Sequence, residues 1–393
     1  MGSFKRTTNI VGWLVFAVAT VVYYLSAERT GSLWDCGEFI LGAYKLQVVH
    51  PPGAPLFLLV GRMFAWVASI FSDNPENIAF AVNLMSGLCT AFAAMFVAWV
   101  TIILGKLALV GRDGEPSTGD QLALAAAGLV AGLGTAFCTS IWFSAVEGEV
   151  YAMSTFFTAL TLWATVKWYA LPDDHQNDRW LIFAVYMVGL SIGVHLLSIL
   201  TFPVLAMFFY FKRSKNVTFV GTGIAAFVGV VMVGLVQMIV ITGLPRLWAN
   251  FELFFVNTLG LPFHSGIIPT VLIILAAIYF GIRYAQKNQE STIQNVAVAF
   301  ALMVLAMSTY GMVITRANSN PPINMNAPKD ALSLLPYLNR EQYGDRPLLR
   351  GPHFAAQPVN VETEKRYGRV GNRYEHVSDK VDYVYNDADK MLF

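Results

Sequence analysis

KRTTNIVGWLVFAVATVVYYLSAERTGSLWDCGE, Lys5 to Glu38, runs from two basic residues through an apolar stretch into a loop carrying acids. The stretch Ile10–Leu25 reads as a membrane span, and Lys5 and Arg6 hold its start on the cytoplasmic side. Residues 28–62 then lie across the bilayer, with Glu28, Asp35 and Glu38 gathered at a membrane face. Charge at such a face is usually kept for function or interfacial anchoring. A purely structural loop needs turn formers but not this group of ionisable side chains. A membrane-embedded enzyme is the first hypothesis.

Composition extends that reading to the whole chain. Of 393 residues, 56% are hydrophobic and only 13% charged, about half the charged share of a soluble protein. Apolar runs cover 10–25, 78–104, 122–143, 150–169, 180–211, 217–242, 267–284 and 295–314. A helix needs about 20 residues to cross about 30 Å of hydrocarbon. The chain is therefore read as an all-α polytopic membrane protein. The first run ends without a small-residue cleavage site, so it is a retained span rather than a signal peptide. A net charge of +1, with no basic stripe and no zinc-finger spacing, points away from nucleic acid as a partner. Cys36, Cys89 and Cys138 are scattered and fit neither a disulfide framework nor a metal cluster. Cys36 reads as a small buried filler.

The run 180–211 is too long for one ordinary span and holds Gly193, His195 and Ser198 near its middle. Splitting it at a turn near His195 makes about nine transmembrane helices. The inner segments then carry Lys5, Arg6, Lys106, Arg112, Lys167, Arg179, Lys212, Arg213, Lys215, Arg283 and Lys287, against Arg29, Lys45, Arg62 and Arg246 outside. That asymmetry supports the split. PLFLLVGRMFAWVASIF, residues 55–71, is interrupted by Arg62 and is read as an outer-face interfacial helix. A span there would reverse every later loop and oppose the charge bias. The expected organisation is a transmembrane catalytic domain over 1–314, with residues 28–77 as its first outer loop, and a periplasmic segment over 315–393. That last segment holds 11 Lys or Arg and 10 Asp or Glu with few aliphatics, a poor independent core. It is expected to pack on the membrane domain or to continue into a longer soluble region. RPLLRGPHFAAQP and RYGRVGNRYEHV read as loops joining short strands, with the alternating VDYVY a strand candidate.

The chemistry-bearing residues gather on the outer side. Asp35 and Glu38, three apart, share one face of a helix starting near Gly37. A site at the hydrocarbon edge raises a carboxylate's proton affinity towards a general base's range. Asp35 also suits a plain N-cap, which would leave Glu38 unexplained. His50 precedes Pro51–Pro52–Gly53–Ala54–Pro55, a rigid corner that presents it in a fixed direction. It either orients Asp35, binds an anionic group, or is an ordinary interfacial histidine. Lys45 and Arg62 are the nearest cations for a phosphate, or else snorkel to headgroups. Glu147 and Glu149, in SAVEGEVYAMS, either approach Asp35 across an outer cavity or sit in a solvated loop; Tyr151 binds a sugar or joins the aromatic belt. His195 stands in a very apolar stretch, where an unpaired polar group is costly, so it contacts ligand or makes a structural hydrogen bond. Arg316 emerges at the outer face, suited to a lipid-linked phosphate through its guanidinium fork. Asn320 and its neighbouring asparagines bind hydroxyls or make Asn-Pro turns. No HExxH, Walker A or dinucleotide fingerprint occurs, and GRDGEPSTGD (111–120) is a cytoplasmic loop.

SLWDCGEFILGAYKLQVVHPPGAPLFLLVGR (32–62), SAVEGEVYA, SNPPIN and LNREQYGDRPL together resemble a bacterial family of multi-pass membrane proteins best known from Bacteroidetes. That family is similar to the animal endoplasmic-reticulum protein O-mannosyltransferases of the transmembrane-protein type. The resemblance implies the GT-C-type glycosyltransferase architecture. It implies a polyprenyl-phosphate-linked sugar as donor, mannose first, and Ser or Thr of translocated proteins as acceptor. It also makes Asp35 the general base and Glu38 its partner, spaced three apart where the family's acids are usually adjacent. Related bacterial proteins are much longer, so this chain is expected to be a short member or an N-terminal portion. The implied setting is the bacterial inner membrane with the active site facing the periplasm, and secreted or periplasmic proteins and membrane lipids as partners. No metal ligand is assigned, and the carboxylate pair leaves a divalent metal open. Two alternatives stand: the same fold serving a glycolipid, lipid A or cell-wall acceptor, and a transporter of a lipid-linked precursor. A transporter would place ionisable residues near mid-membrane, whereas here they gather at one face.

Overall fold

A computed structural model describes residues 2–344, 347 and 349–392, so residues 345, 346 and 348 of the LNREQYGDRPL stretch lie outside it. The chain is mostly helical with a small C-terminal β region. In order, the helices are α1 (Gly2–Ser26), α2 (Cys36–Lys45), α3 (Pro55–Phe71), α4 (Pro75–Val110), α5 (Thr118–Ala136), α6 (Thr139–Val146), α7 (Val150–Ala170) and α8 (Arg179–Ile192). They continue as α9 (Phe202–Arg213), α10 (Phe219–Leu235), α11 (Gly243–Leu253), α12 (Ile267–Asn288), α13 (Ser291–Met307), α14 (Tyr310–Asn318) and α15 (Ala331–Leu338).

Six helical stretches among the described residues are long and apolar enough to cross a bilayer: Gly2–Ser26, Pro75–Val110, Leu196–Arg213, Phe219–Thr258, Ile267–Asn288 and Ser291–Asn318. A seventh follows if α5 and α6, bent by 61°, form one broken span. This is a multi-pass membrane protein. The count falls short of the nine expected, because α7 dilutes its 21 residues with Ser, Thr, Tyr and Lys, and α8 has only 14 residues. The expected break in 180–211 is present: α8 ends at Ile192, and a 3-10 turn over Leu196–Thr201 leads into α9. Helix also runs on past residue 242, through π-helical turns at Val236–Ile241 and Phe254–Thr258. The segment expected as an outer loop there is therefore largely helical.

Helix α4 is the central post. Asn74 caps it, and its 36 residues reach about 54 Å. Helices α1, α3, α5, α6 and α7 all pack on it. Small residues permit close approach, as is usual between membrane helices. A Cβ on Gly132 would lie 2.9 Å from a Val15 methyl, and one on Gly128 would lie 2.6 Å from Ile102. Tyr23 of α1, fully buried, donates its hydroxyl to the Ala136 carbonyl at 2.7 Å. Apolar side chains of α10 and α12, including Phe227, Leu272 and Phe280, stay exposed, as lipid-facing positions should. Where α7 and α9 end and α8 and α13 begin, buried Asp178 is satisfied by Arg213 (2.8 Å), the Trp168 indole (3.0 Å) and Asn295 (3.0 Å).

The expected loop RYGRVGNRYEHV is strand instead. Strands β1 (Arg350–Pro352), β2 (Pro358–Val370), β3 (Arg373–Tyr385) and β4 (Lys390–Leu392) form two antiparallel pairs, β1 with β4 and β2 with β3. Only Gly371 and Asn372 turn the long hairpin, with Gly371 in the left-handed region at φ 58°. Cross-strand partners such as Tyr367 with His376 use both solvated faces, so charge along the strands is tolerated. VDYVY lies in β3 as expected. The hairpin holds the helical body through Tyr374. Its amide and carbonyl bond the Asn257 side chain at 2.8 Å each, and its hydroxyl donates to buried Glu252 at 3.2 Å.

Helices α2 and α3 meet at glycines. A Cβ on Gly61 would lie 2.8 Å from Ala43 Cβ, and one on Gly42 3.1 Å from a Leu58 methyl. Gly61→Leu is expected to destabilise the protein by about 1–3 kcal/mol through overpacking. Thermal unfolding of the detergent-purified variant reads this, and an unchanged midpoint would mean that α2 and α3 are not in this contact.

Candidate active site

The loop after α1 is folded by one buried amide. Asn83 of α4 donates to the carbonyls of Glu28 (2.7 Å) and Thr30 (3.1 Å), and the Glu28 amide donates to Val146 (3.0 Å). This delivers Asp35 to the start of α2. Asp35 occupies the N-cap position but makes no side-chain cap bond, and its side chain is 60% exposed. The capping reading therefore does not account for its carboxylate, which lies 4.0 Å from His50 Nε2.

One turn along α2, Glu38 grips His50 twice. Its Oε1 accepts the His50 amide at 2.7 Å, and its Oε2 meets ring Nδ1 at 2.8 Å. An ionised carboxylate only accepts, so Nδ1 carries a proton and Nε2 faces Asp35. Burial raises the proton affinity of Glu38, and the bonds and charge of His50 more than reverse this, leaving the carboxyl below its usual range. His50 is displaced upward, first by its bond to Glu38, against burial, with the charges of Glu38 and Asp35 adding and Arg340 opposing. The corner is closed by the Gly53 amide on the His50 carbonyl at 2.8 Å. Gly53 sits at φ 74°, and a Cβ there would lie 2.6 Å from the Tyr337 hydroxyl, so no other residue suits.

The second wall comes from the turn before α7. The Gly148 amide approaches Cys36 Sγ at 3.3 Å, and a Cβ on Gly148 would lie 3.0 Å from Asn83 Oδ1. Glu149 is only 8% exposed. Burial, then the charges of Asp35 and Glu147, raise its carboxyl to about 7, against the Val150 amide and His50. The Tyr151 ring stands 5.1 Å from that of His195. His195 Nδ1 accepts the Leu197 amide at 3.2 Å, which puts the proton of the neutral ring on Nε2. Burial and then Arg340 lower its proton affinity. The His195 turn is tied to the His50 corner by the Leu56 amide on Gly193 O at 2.8 Å. Asp35, Glu38, His50, Glu147, Glu149, Tyr151 and His195 thus share one neighbourhood.

Three other sequence candidates lie elsewhere. Arg316 donates to the carbonyls of Leu46 (2.6 Å) and Lys45 (3.2 Å), and Arg62 donates to that of Tyr44. Both therefore hold the C-terminal end of α2, about 11 Å along the helix from Glu38. Asn320 accepts from Lys329 Nζ at 2.6 Å. Sequence reasoning missed Asn83, although an amide inside the apolar run 78–104 is a signal, because a buried polar group must find partners. It also missed Tyr337, whose hydroxyl donates to the Val49 carbonyl beside His50.

Ligand atoms of Asp35, Glu38 and His50 lie within 4.8 Å of one another, close enough to consider a cation. The acids, however, address different ring nitrogens, Glu38 at Nδ1 and Asp35 at Nε2. One ion cannot take all three groups through a single nitrogen without breaking the Glu38–His50 pair. The arrangement is a bonded Glu38–His50 pair with Asp35 4.0 Å from the other ring nitrogen.

Residues 35–218 match the family model of the protein O-mannosyl-transferase TMEM260 N-terminal domain. Similar proteins include protein O-mannosyl-transferase tmem260 of Dictyostelium discoideum, 27% identical over 176 residues, or 45% of this chain and 19% of that protein. Protein O-mannosyl-transferase TMEM260 of Mus musculus is 27% identical over 178 residues, 45% of this chain and 22% of that protein. The chain thus matches a minor part of the length of these relatives and resembles this group of transferases over its first half. No solved structure matches it.

The Glu38–His50 pair makes a direct prediction. In Glu38→Gln the imidazolium loses its anionic partner, so the His50 titration midpoint should fall, as read by NMR of ring-labelled histidine. An unmoved midpoint would show that the pair does not form.

Proposed function

We propose that this chain is a glycosyltransferase of the GT-C type. In this reading it transfers a sugar, mannose first, from a polyprenyl-phosphate donor to Ser or Thr of translocated proteins at the outer face of a bacterial inner membrane. The observation that carries the proposal is the convergence of Asp35, Glu38, His50 and Glu149 in the stretch that matches the O-mannosyl-transferase family model. Asp35, exposed and free of a cap bond, takes the proton of the acceptor hydroxyl. That oxygen attacks the anomeric carbon, the carbon–oxygen bond to phosphate breaks, and the phosphate leaves with the electron pair, inverting the configuration. His50, fixed by Glu38, orients Asp35 through Nε2. Glu149, with its carboxyl near 7, exchanges hydrogen bonds with sugar hydroxyls in either protonation state. Phosphate is a good leaving group, so no strong general acid is required.

The associated topology has nine crossings, the seven above with α7 and α8. Helix α3 then lies along the outer interface, where its exposed Met63, Trp66, Ile70 and Phe71 enter the headgroup region. Single cysteines introduced at positions 50 and 74 should label from the same, outer side, and labelling from opposite sides would make α3 a span and remove this topology.

The activity itself is tested by incubating purified protein with a panel of polyprenyl-phosphate sugars and acceptor peptides and reading products by mass spectrometry. Transfer to Ser or Thr is expected, falling about a hundredfold or more in folded Asp35→Asn, the usual effect of losing a general base. Transfer only to lipid would move the function to a glycolipid acceptor, and full activity in Asp35→Asn would overturn the mechanism.

A further inference from the structure

Arg340, in the LNREQYGDRPL stretch beyond the family match, follows α15 with a left-handed backbone at φ 57°. Its amide donates to the Tyr337 carbonyl at 3.2 Å, one turn back. Tyr337 is buried, bonds the Val49 carbonyl and abuts Gly53, so it pins the end of α15 against the corner that presents His50. Arg340 therefore emerges beside the site. Its charge lowers the proton affinity of both His50 and His195, the groups on the two walls. The residue is exposed, with its guanidinium 4.9 Å from the Tyr343 ring, and no carboxylate pairs with it among the described residues. Two of the cations that sequence favoured, Arg316 and Arg62, are engaged on backbone carbonyls.

We propose that Arg340, together with the Nε2–H of His195, forms the anion subsite that binds the phosphate of a lipid-phosphate-linked donor. The proposal rests on the transferase reading above. A guanidinium offers a phosphate two parallel charge-assisted bonds. A neutral imidazole N–H adds a donor without a second full charge. Both groups strengthen their hold as charge develops on the departing phosphate.

The test uses the whole chain in phosphatidylcholine nanodiscs and reads binding of undecaprenyl phosphate by native mass spectrometry. Arg340→Ala should weaken binding about tenfold or more, the worth of a charge-assisted bond. Arg340→Lys should keep part of the affinity, and Arg316→Ala should leave it nearly unchanged. In Arg340→Ala the titration midpoints of His50 and His195 should both rise, which also verifies the fold. Equal affinity in parent and Arg340→Ala, or no binding by the parent, overturns the subsite. So does equal competition by phosphatidylglycerol, which would make Arg340 a headgroup anchor, or by inorganic phosphate, which would assign the subsite to the free ion. The transfer assay separates the two claims. Arg340-dependent binding without any sugar transfer keeps the subsite and removes the transferase reading. Transfer with an unchanged donor KM in Arg340→Ala does the reverse.

Discussion

The two hydrogen bonds by which Glu38 holds His50 are the constraint on which the candidate site depends. One runs to the backbone amide and fixes where the corner sits, and the other runs to the ring and fixes how the imidazole points. Both are partly buried, where a charge-assisted bond is worth more and an unpaired carboxylate costs more than in water. Because Glu38 is on α2 and His50 leads into α3, the pair also sets the separation of two helices already in glycine contact. Asp35 needs no bond of its own, since its place at the head of α2 follows from the helix that Glu38 anchors.

A second set of polar contacts brings the C-terminal region to that corner. The long hairpin has almost no core of its own, with Tyr374 its one deeply buried large side chain. Specific polar docking replaces it. Arg369 bonds Asp330 at 2.7 Å and the His264 ring at 3.0 Å, while Glu252 accepts the amides of His264 and Gly266. Asp330 is also the N-cap of α15, joined with Ser333 in a capping box. The hairpin thereby orients the helix whose Tyr337 supports the corner and whose end carries Arg340. Burial raises the proton affinity of Asp330, but the bonds from Ser333 and the Arg369 charge leave it below its usual range. The network is satisfied, and loss of one partner would leave a buried charge exposed to that burial cost.

Lys5 to Glu38 and the apolar runs were enough to make this a helical, multi-pass membrane protein, because a bilayer demands long uninterrupted apolar helices and that demand is written linearly in the chain. The break near His195, the strand at VDYVY and the grouping of Asp35, Glu38 and His50 after the first span were legible for similar local reasons: turn formers, alternation and charge beside a span. The sequence could not separate the cations engaged by backbone carbonyls from those that are not. Arg316, Arg62 and Arg340 look alike in one dimension, and only packing shows that the first two are spent on carbonyls at the far end of α2. It misjudged RYGRVGNRYEHV, because a solvated two-faced hairpin lacks the apolar alternation that marks a strand. The tertiary structure alone paired Glu38 with the backbone amide and ring Nδ1 of His50, turned Asn83 onto the first loop and brought α15 to the corner. Those contacts join residues from 12 to 288 positions apart, and separations of that kind are set by helix packing rather than by local pattern.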